Sequence, residues 1–386
     1  MATPLLRKGF EVEMYTGRAD GQVVGCASEA AAALADVVTE PDNRNLEYIT
    51  PPEASYRHQL ELLLEPRRRL RAWLAARGLT LLPGSTLSLG NSHRFERSAP
   101  DNPYHDTIEA AYGTRVVTAS VHINLGLEAM EPLFAGLRLL RCEAALLLAL
   151  SASSPFLDGE SCGVHSQRWL QFPLTPPQVP LFTGHAHYIA WMEEQLAAGA
   201  MFNVRHLWTS VRPNGEARPH DLNRIELRIC DLIADPLELL AVTAFAELRL
   251  QRILRDPHQH DPLLCSRLGP AELAALADAN DRAAARSSLE STLCHWRDGR
   301  PIEARRWLEQ ELADLAPLAA ELGLSTALKP LETLLERGNQ AMQWLDRHRR
   351  GDSIATIMAS ATAALAERED QLMAWLATEA SLALGS

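Results

Sequence analysis

Apolar and polar residues alternate along FEVEMYT (10–16), which places Phe10, Val12 and Met14 on one face of a strand and Glu11 with Glu13 on the other. The same alternation predicts strands in NLEYIT (45–50), LTLLPGSTLSL (79–89), RVVTASVHINLGL (115–127), NVRHLWTSVRP (203–213) and NRIELRICDLI (223–233). Between them lie stretches of helical period: 28–38; 58–78, with Pro66 placed to bend or divide it and Gly78 as a C-cap; 137–152; 187–200; and 235–254. Beyond DPHQHDP (256–262) the chain reads as almost wholly helical to its end. Strands crowd into the first two thirds without strict βαβ alternation, so an α+β fold with a largely antiparallel sheet is expected. Residues 1–256 are expected to form the mixed core, and 257–386 a helical region packed on it. No internal repeat or long linker divides the two.

The polar faces share a character. In SVHINLG, Ser120, His122 and Asn124 oppose Val121, Ile123 and Leu125; in RIELRICD, Glu226 and Arg228 oppose Ile225, Leu227 and Ile229. NLEYIT is less clean, because Glu47 shares its face with Ile49. One reading is a sheet with helices on its apolar side and water on the other. The sharper reading brings the polar faces into one concave site. There Glu11, Glu13, Glu47, Glu226 and Glu40 supply hard oxygen ligands for Mg²⁺ or Mn²⁺, and His122 supplies a nitrogen. Arg228, two residues after Glu226, would then point at the same place, suited to bidentate contact with a phosphate. Carboxylates that hold metals beside arginines are what metal-assisted phosphoryl transfer requires.

Composition narrows the choice. With 386 residues, nearly half of them apolar, the chain can bury a sizeable core; a formal charge of −12 argues against a nucleic-acid partner. Only Lys8 and Lys329 are lysines, and neither lies in a glycine-rich loop. No GxxxxGK[ST] and no GxGxxG occurs, so P-loop and dinucleotide folds are excluded, and phosphates must be gripped by arginines, metals and backbone. Six cysteines without a CxxC pair, and an amino terminus without a signal-peptide pattern, predict a reduced, cytoplasmic protein. The most apolar run, ALLLALSA (145–152), is too short to span a bilayer.

Other features carry less. Cys162 and His165 beside Asp158 are sequence neighbours, which rarely make a nucleophilic pair. PRRRLR (66–71) reads as a solvated helix face, and His258 with His260, or Cys294 with His295, lack the second half of a zinc-site spacing.

With these motifs assembled, the chain resembles the carboxylate–amine ligase family that includes the plant/bacterial and cyanobacterial glutamate–cysteine ligases. The matches are GFEVEM (9–14), EPDNRNLEYITPP (40–52), SVHINLG (120–126), LSASSPFLDGESCGVHSQR (150–168) and RIELRICD (224–231), in family order, with ANDRAAAR (279–286) similar to a later helix. GSTLSLG, NPYHD, VTASVHIN and NVRHLW bring the cyanobacterial enzymes nearest. The resemblance implies a glutamine-synthetase-like catalytic fold: a curved, largely antiparallel sheet of about six strands with helices on its convex face. It implies ATP and Mg²⁺ as cofactors, glutamate and cysteine as substrates, and a γ-glutamyl phosphate intermediate in the first step of glutathione biosynthesis. By the same likeness Glu11, Glu13, Glu40, Glu47, His122 and Glu226 fall on metal or substrate positions. Arg228 falls on a phosphate contact, and Arg168 and Arg212 sit in or beside matching motifs. Asp42 competes with Glu40 for its role. An amine other than cysteine, or a relative that binds nucleotide without chemistry, is the alternative.

Overall fold

The structure is a computed structural model, and residues 4–384 are described, with side chains to 378. Its centre is a seven-stranded sheet: β1 (Lys8–Gly17), β2 (Val37–Thr39), β3 (Asn45–Ile49), β4 (Thr80–Leu82), β5 (Val121–Gly126), and, after a small hairpin of β6 (Phe156–Leu157) and β7 (Glu160–Ser161), β8 (Val211–Asn214) and β9 (Arg224–Leu227). The order is β2-β3-β1-β5-β9-β8, and every pairing is antiparallel. Tyr15 pairs with both Asn45 and Leu82, so β4 continues along the edge of β1 where β5 leaves off.

Register decides what meets across the sheet. Glu11 faces His122, Glu13 faces Glu47, Asn124 faces Glu226, and Glu226 faces Arg212. Directly opposed residues share a face, so all these side chains lie on one side. The other side carries Phe10, Val12, Met14, Val121, Ile123, Leu125, Ile225 and Leu227, all buried in the main core. Helix Met130–Ser151 packs there against β8, β9 and helix Pro236–Arg255, burying the apolar run that the sequence placed at 145–152. No helix among the described residues is long and apolar enough to cross a membrane.

The expected elements are present but mostly shorter. Helix 28–38 is Ala27–Ala33 followed by β2, because Val37, Val38 and Thr39 are β-branched and pair with β3. The strand expected over 203–213 starts at 211. Asn203 accepts a bond from the Arg205 amide (2.8 Å) and caps a short 3₁₀ turn first. Pro66 neither divides nor ends its helix, which runs Tyr56–Ala75, with the guanidinium of Arg67 bonded to the Tyr48 hydroxyl at 2.6 Å. Thus PRRRLR is not a solvated face throughout: Arg67 is fully buried, and Arg71 reaches Glu369 of the last helix. Helix Pro103–Tyr112 was not anticipated, although Asn102-Pro103 is a sound start signal. The region after 257 is helical apart from a hairpin of β10 (Thr292–Cys294) and β11 (Pro301–Glu303), and its helix Pro270–Ser287 lies along Met130–Ser151.

Candidate active site

The polar face divides into an acidic and a basic half. Glu13, Glu40 and Glu47 each bring a carboxylate oxygen into one cluster, and Glu11, Glu47 and His122 form a second; ligand atoms within each lie within 4.8 Å of one another. Glu40 joins from the segment after β2. Asp42 does not compete with it, because both Asp42 oxygens receive the Arg44 guanidinium at 2.7 Å.

Neighbouring donors hold part of the acidic half. His122 Nδ1 lies 2.8 Å from Glu11 Oε2, Ser120 donates to Glu13 at 2.9 Å, and Asn124 donates to Glu11 at 3.3 Å. Burial alone would raise Glu11, but the bond and charge of His122 outweigh it and the carboxyl lies below its ordinary range. Among the described residues Glu47 and Glu40 have no such donor. Burial and the charges of neighbouring glutamates push Glu47 up to about 10 and Glu40 up to about 8. Hard oxygen donors that crowd together and repel one another fit a divalent cation such as Mg²⁺.

The basic half is built around Glu226, which is fully buried. Arg212 donates to both of its oxygens (2.7 and 3.0 Å), Asn214 to one at 2.6 Å, and Arg228 to one at 2.5 Å. Burial opposes ionisation, yet the flanking arginines hold Glu226 well below the usual carboxylate range. These donors fill its lone pairs, and neither acidic cluster contains it. In this geometry Glu226 anchors the arginines, and its Oε1 lies 3.8 Å from His122 Nδ1, beside the acidic half. The remaining nitrogen of Arg212 donates to the carbonyls of Arg205 and Leu207.

Arg228 remains the arginine between the halves, with its guanidinium 3.4 Å from His122 Nδ1 and its Nε without a partner among the described residues. Arg168 stands behind it, donating to the backbone carbonyls of Arg228 and Ile229 (2.9 and 3.0 Å). Both bonds go to main-chain oxygens and tie Arg168 to the segment that carries Arg228. Asn214 escaped the sequence reading, although it lies two residues from Arg212 on the same strand and so must share its face.

Ile49 explains the broken pattern of NLEYIT. It lies opposite Glu11, 53% exposed, at the lip of a cleft of about 760 Å³ where Leu5, Leu6, Leu127 and Pro132 approach Glu11 and Asn124. The other sequence candidates fall away. His165 is bonded to Ser288 Oγ at 2.7 Å, burial pushes the Cys162 thiol up to about 11, and no zinc-type cluster of histidines and cysteines occurs among the described residues.

The model of glutamate–cysteine ligase family 2 matches residues 7–360. The chain belongs to that family. Its relatives include proteins provisionally named glutamate–cysteine ligase 2 from Gloeobacter violaceus, 26% identical over 306 residues (77% of this chain, 78% of that one), and Rubrobacter xylanophilus, 25% identical over 359 residues (90% of each). Among solved structures, a Francisella tularensis glutamate–cysteine ligase in complex with AMP superposes with TM-score 0.71 at 13% identity, covering 100% of this chain and 96% of that one. A bifunctional glutathione synthetase from Pasteurella multocida gives 0.70 at 15%, covering 95% of this chain but 52% of its own. These likenesses establish the fold that the ligase family shares: a mostly antiparallel sheet with helices on one side and a helical C-terminal region.

Proposed function

We propose that this family 2 protein is an ATP-dependent glutamate–cysteine ligase, joining the γ-carboxylate of glutamate to the amino group of cysteine and forming ADP and phosphate, the first step of glutathione biosynthesis. The observation that carries the reading is the juxtaposition on one face of unpaired carboxylates and a positioned arginine. Glu13, Glu40 and Glu47 would hold one Mg²⁺ and Glu11, Glu47 and His122 another, and bound Mg²⁺ supplies neutralisation of the ATP phosphates. In the family's chemistry the γ-carboxylate oxygen attacks the γ-phosphorus of ATP, the bond to the ADP oxygen breaks, and the amine then displaces phosphate from the acyl phosphate.

The chain's own residues orient these steps. Arg228, fixed by Glu226 in front and Arg168 behind, offers guanidinium N–H groups to charge that develops on the transferring group. Glu226 keeps it ionised and aimed. The apolar cleft beside Glu11 and Ile49 suits a nucleobase, since a flat, weakly polar ring gains from Leu5, Leu6 and Leu127 while its phosphates extend toward the acidic half. AMP in the Francisella neighbour supports a nucleotide reading.

The test is ADP release in the presence of ATP, Mg²⁺ and glutamate, with and without cysteine, and with a panel of other amines. Release that depends on cysteine supports the reading. Turnover only with another amine replaces the acceptor, and nucleotide binding without turnover contradicts a ligase.

A further inference from the structure

The basic half contains a cation that the arrangement above does not use. Arg218 lies in the turn between β8 and β9, half-buried, and makes no hydrogen bond or ion pair among the described residues; its NH1 is buried without a partner. Arg218 lies within the fields of Glu226 and of the Tyr188 hydroxyl, and burial lowers its pKa. That hydroxyl, on helix His185–Ala197, is itself buried and unpartnered, while its ring is held by Phe134 and Phe182 at centroid distances of 5.9 and 5.0 Å. Two buried donors without acceptors in one neighbourhood are costly unless something accepts from both.

Their positions are fixed, so the pair is not a loose loop passing a helix. His185, at the start of the Tyr188 helix, donates through Nε2 to the carbonyl of Pro219 at 2.8 Å. The turn closes on itself through Ala217, whose carbonyl accepts from the amides of His220 and Asp221 at 2.9 and 2.8 Å. A Cβ at Gly215 would stand 2.0 Å from the Asp221 carbonyl, so the turn requires glycine there. The local charge is unbalanced as well: Arg212 and Arg228 already saturate Glu226, leaving Arg218 as surplus positive charge.

We propose that Arg218 and Tyr188 bind the α-carboxylate of an amino-acid substrate at the outer edge of the site, a refinement that rests on the ligase reading. A carboxylate supplies acceptor oxygens for both donors at once and balances the surplus charge. Phosphate is assigned instead to Arg228, which borders His122 and the acidic clusters. Both substrates carry an α-carboxylate, and decarboxylated analogues tell them apart: 4-aminobutyrate keeps the reacting carboxylate of glutamate, and cysteamine keeps the amine and thiol of cysteine.

The experiment compares kcat/KM of wild type, Arg218→Gln and Tyr188→Phe for glutamate against 4-aminobutyrate and for cysteine against cysteamine, with folding checked by circular dichroism. Arg218→Gln is expected to lower kcat/KM about tenfold or more for one amino acid. Its decarboxylated analogue should change less than about twofold, and so should KM for ATP. Tyr188→Phe should give a smaller loss with the same selectivity. The pair that responds names the substrate. Equal losses for acid and analogue, or no loss, overturn the assignment. If wild type turns over neither pair, the ligase reading has failed, and calorimetric titration of glutamate and cysteine decides the subsite separately. α-Carboxylate-dependent binding lost in Arg218→Gln sustains it, and binding indifferent to the carboxylate or to the substitution overturns it.

Discussion

Two sets of buried charges lie on opposite sides of the same sheet and are treated in opposite ways. On the helical side, Glu247 accepts from Lys8 at 2.8 Å, from the Tyr56 hydroxyl at 2.8 Å and from the Leu6 amide at 2.6 Å, and Arg249 donates to both oxygens of Glu143 at 2.6 and 2.8 Å. Each carboxylate there has its cation within the chain. On the other side Glu13, Glu40 and Glu47 are packed against one another, and no cation of the chain pairs with Glu40 or Glu47 among the described residues. Charges that hold the fold together are neutralised internally. Carboxyl groups left without a cation of the chain keep their protons until a ligand takes their place, which is how the sheet can be rigid and still bind cations.

The comparison breaks first at the arginine that joins the two halves. Arg228→Ala, or Glu226→Gln beside it, should lower turnover by about 10³-fold or more while far-ultraviolet circular dichroism is unchanged. Near-normal rates of ADP release would remove the catalytic assignment. On the structural side the opposite split is expected. Lys8→Met leaves Glu247 short of its cation and should cost about 3 kcal/mol in urea unfolding, with KM for glutamate and ATP altered by less than about twofold.

pH separates the two charge sets without mutation. Glu47 and Glu40, raised to about 10 and about 8, hold protons in the folded chain that the unfolded chain releases near its ordinary carboxylate value of 4.5. The folded state therefore binds more protons. The stability these groups contribute is complete below pH 4.5 and is lost as pH rises toward 8 and then 10, by up to about 1.4 kcal/mol per pH unit for each group. Melting temperature without divalent cation should fall between pH 6 and about pH 9. Added Mg²⁺ should restore it, more so at the higher pH. Glu226, held well below its ordinary range, has the opposite sign, and its contribution disappears only in strong acid. The smallest effect belongs to the cleft: Ile49→Ser should raise KM for ATP about threefold with an unchanged melting temperature.

Much of this was legible in the sequence because strand period and polar identity coincide. Alternation divides each strand into faces, with Glu11 and Glu13, His122, and Glu226 and Arg228 on the polar ones, and the register and the Arg228–Glu226 bond bring those faces together. What alternation cannot show is who pairs with whom. Glu226 and Arg212 each fall on a polar face by alternation, and only the register shows that they bond to each other. Asp42 and Glu40 were indistinguishable until Arg44, two residues on, folded back onto Asp42. Arg218 and Tyr188 lie 30 positions apart in a turn and a helix, so no period links them.

The most direct test of the account is calorimetric titration of Mn²⁺ or Mg²⁺ into the ion-free protein near pH 7, repeated in buffers of different ionisation enthalpy to count released protons. Wild type should bind the ion and release protons from Glu47 and Glu40, and the Glu13→Gln, Glu47→Gln double variant should lose that binding and its proton release while remaining folded. Equal binding by the two proteins, or binding without proton release, would contradict the claim that these carboxylates are held together for a cation.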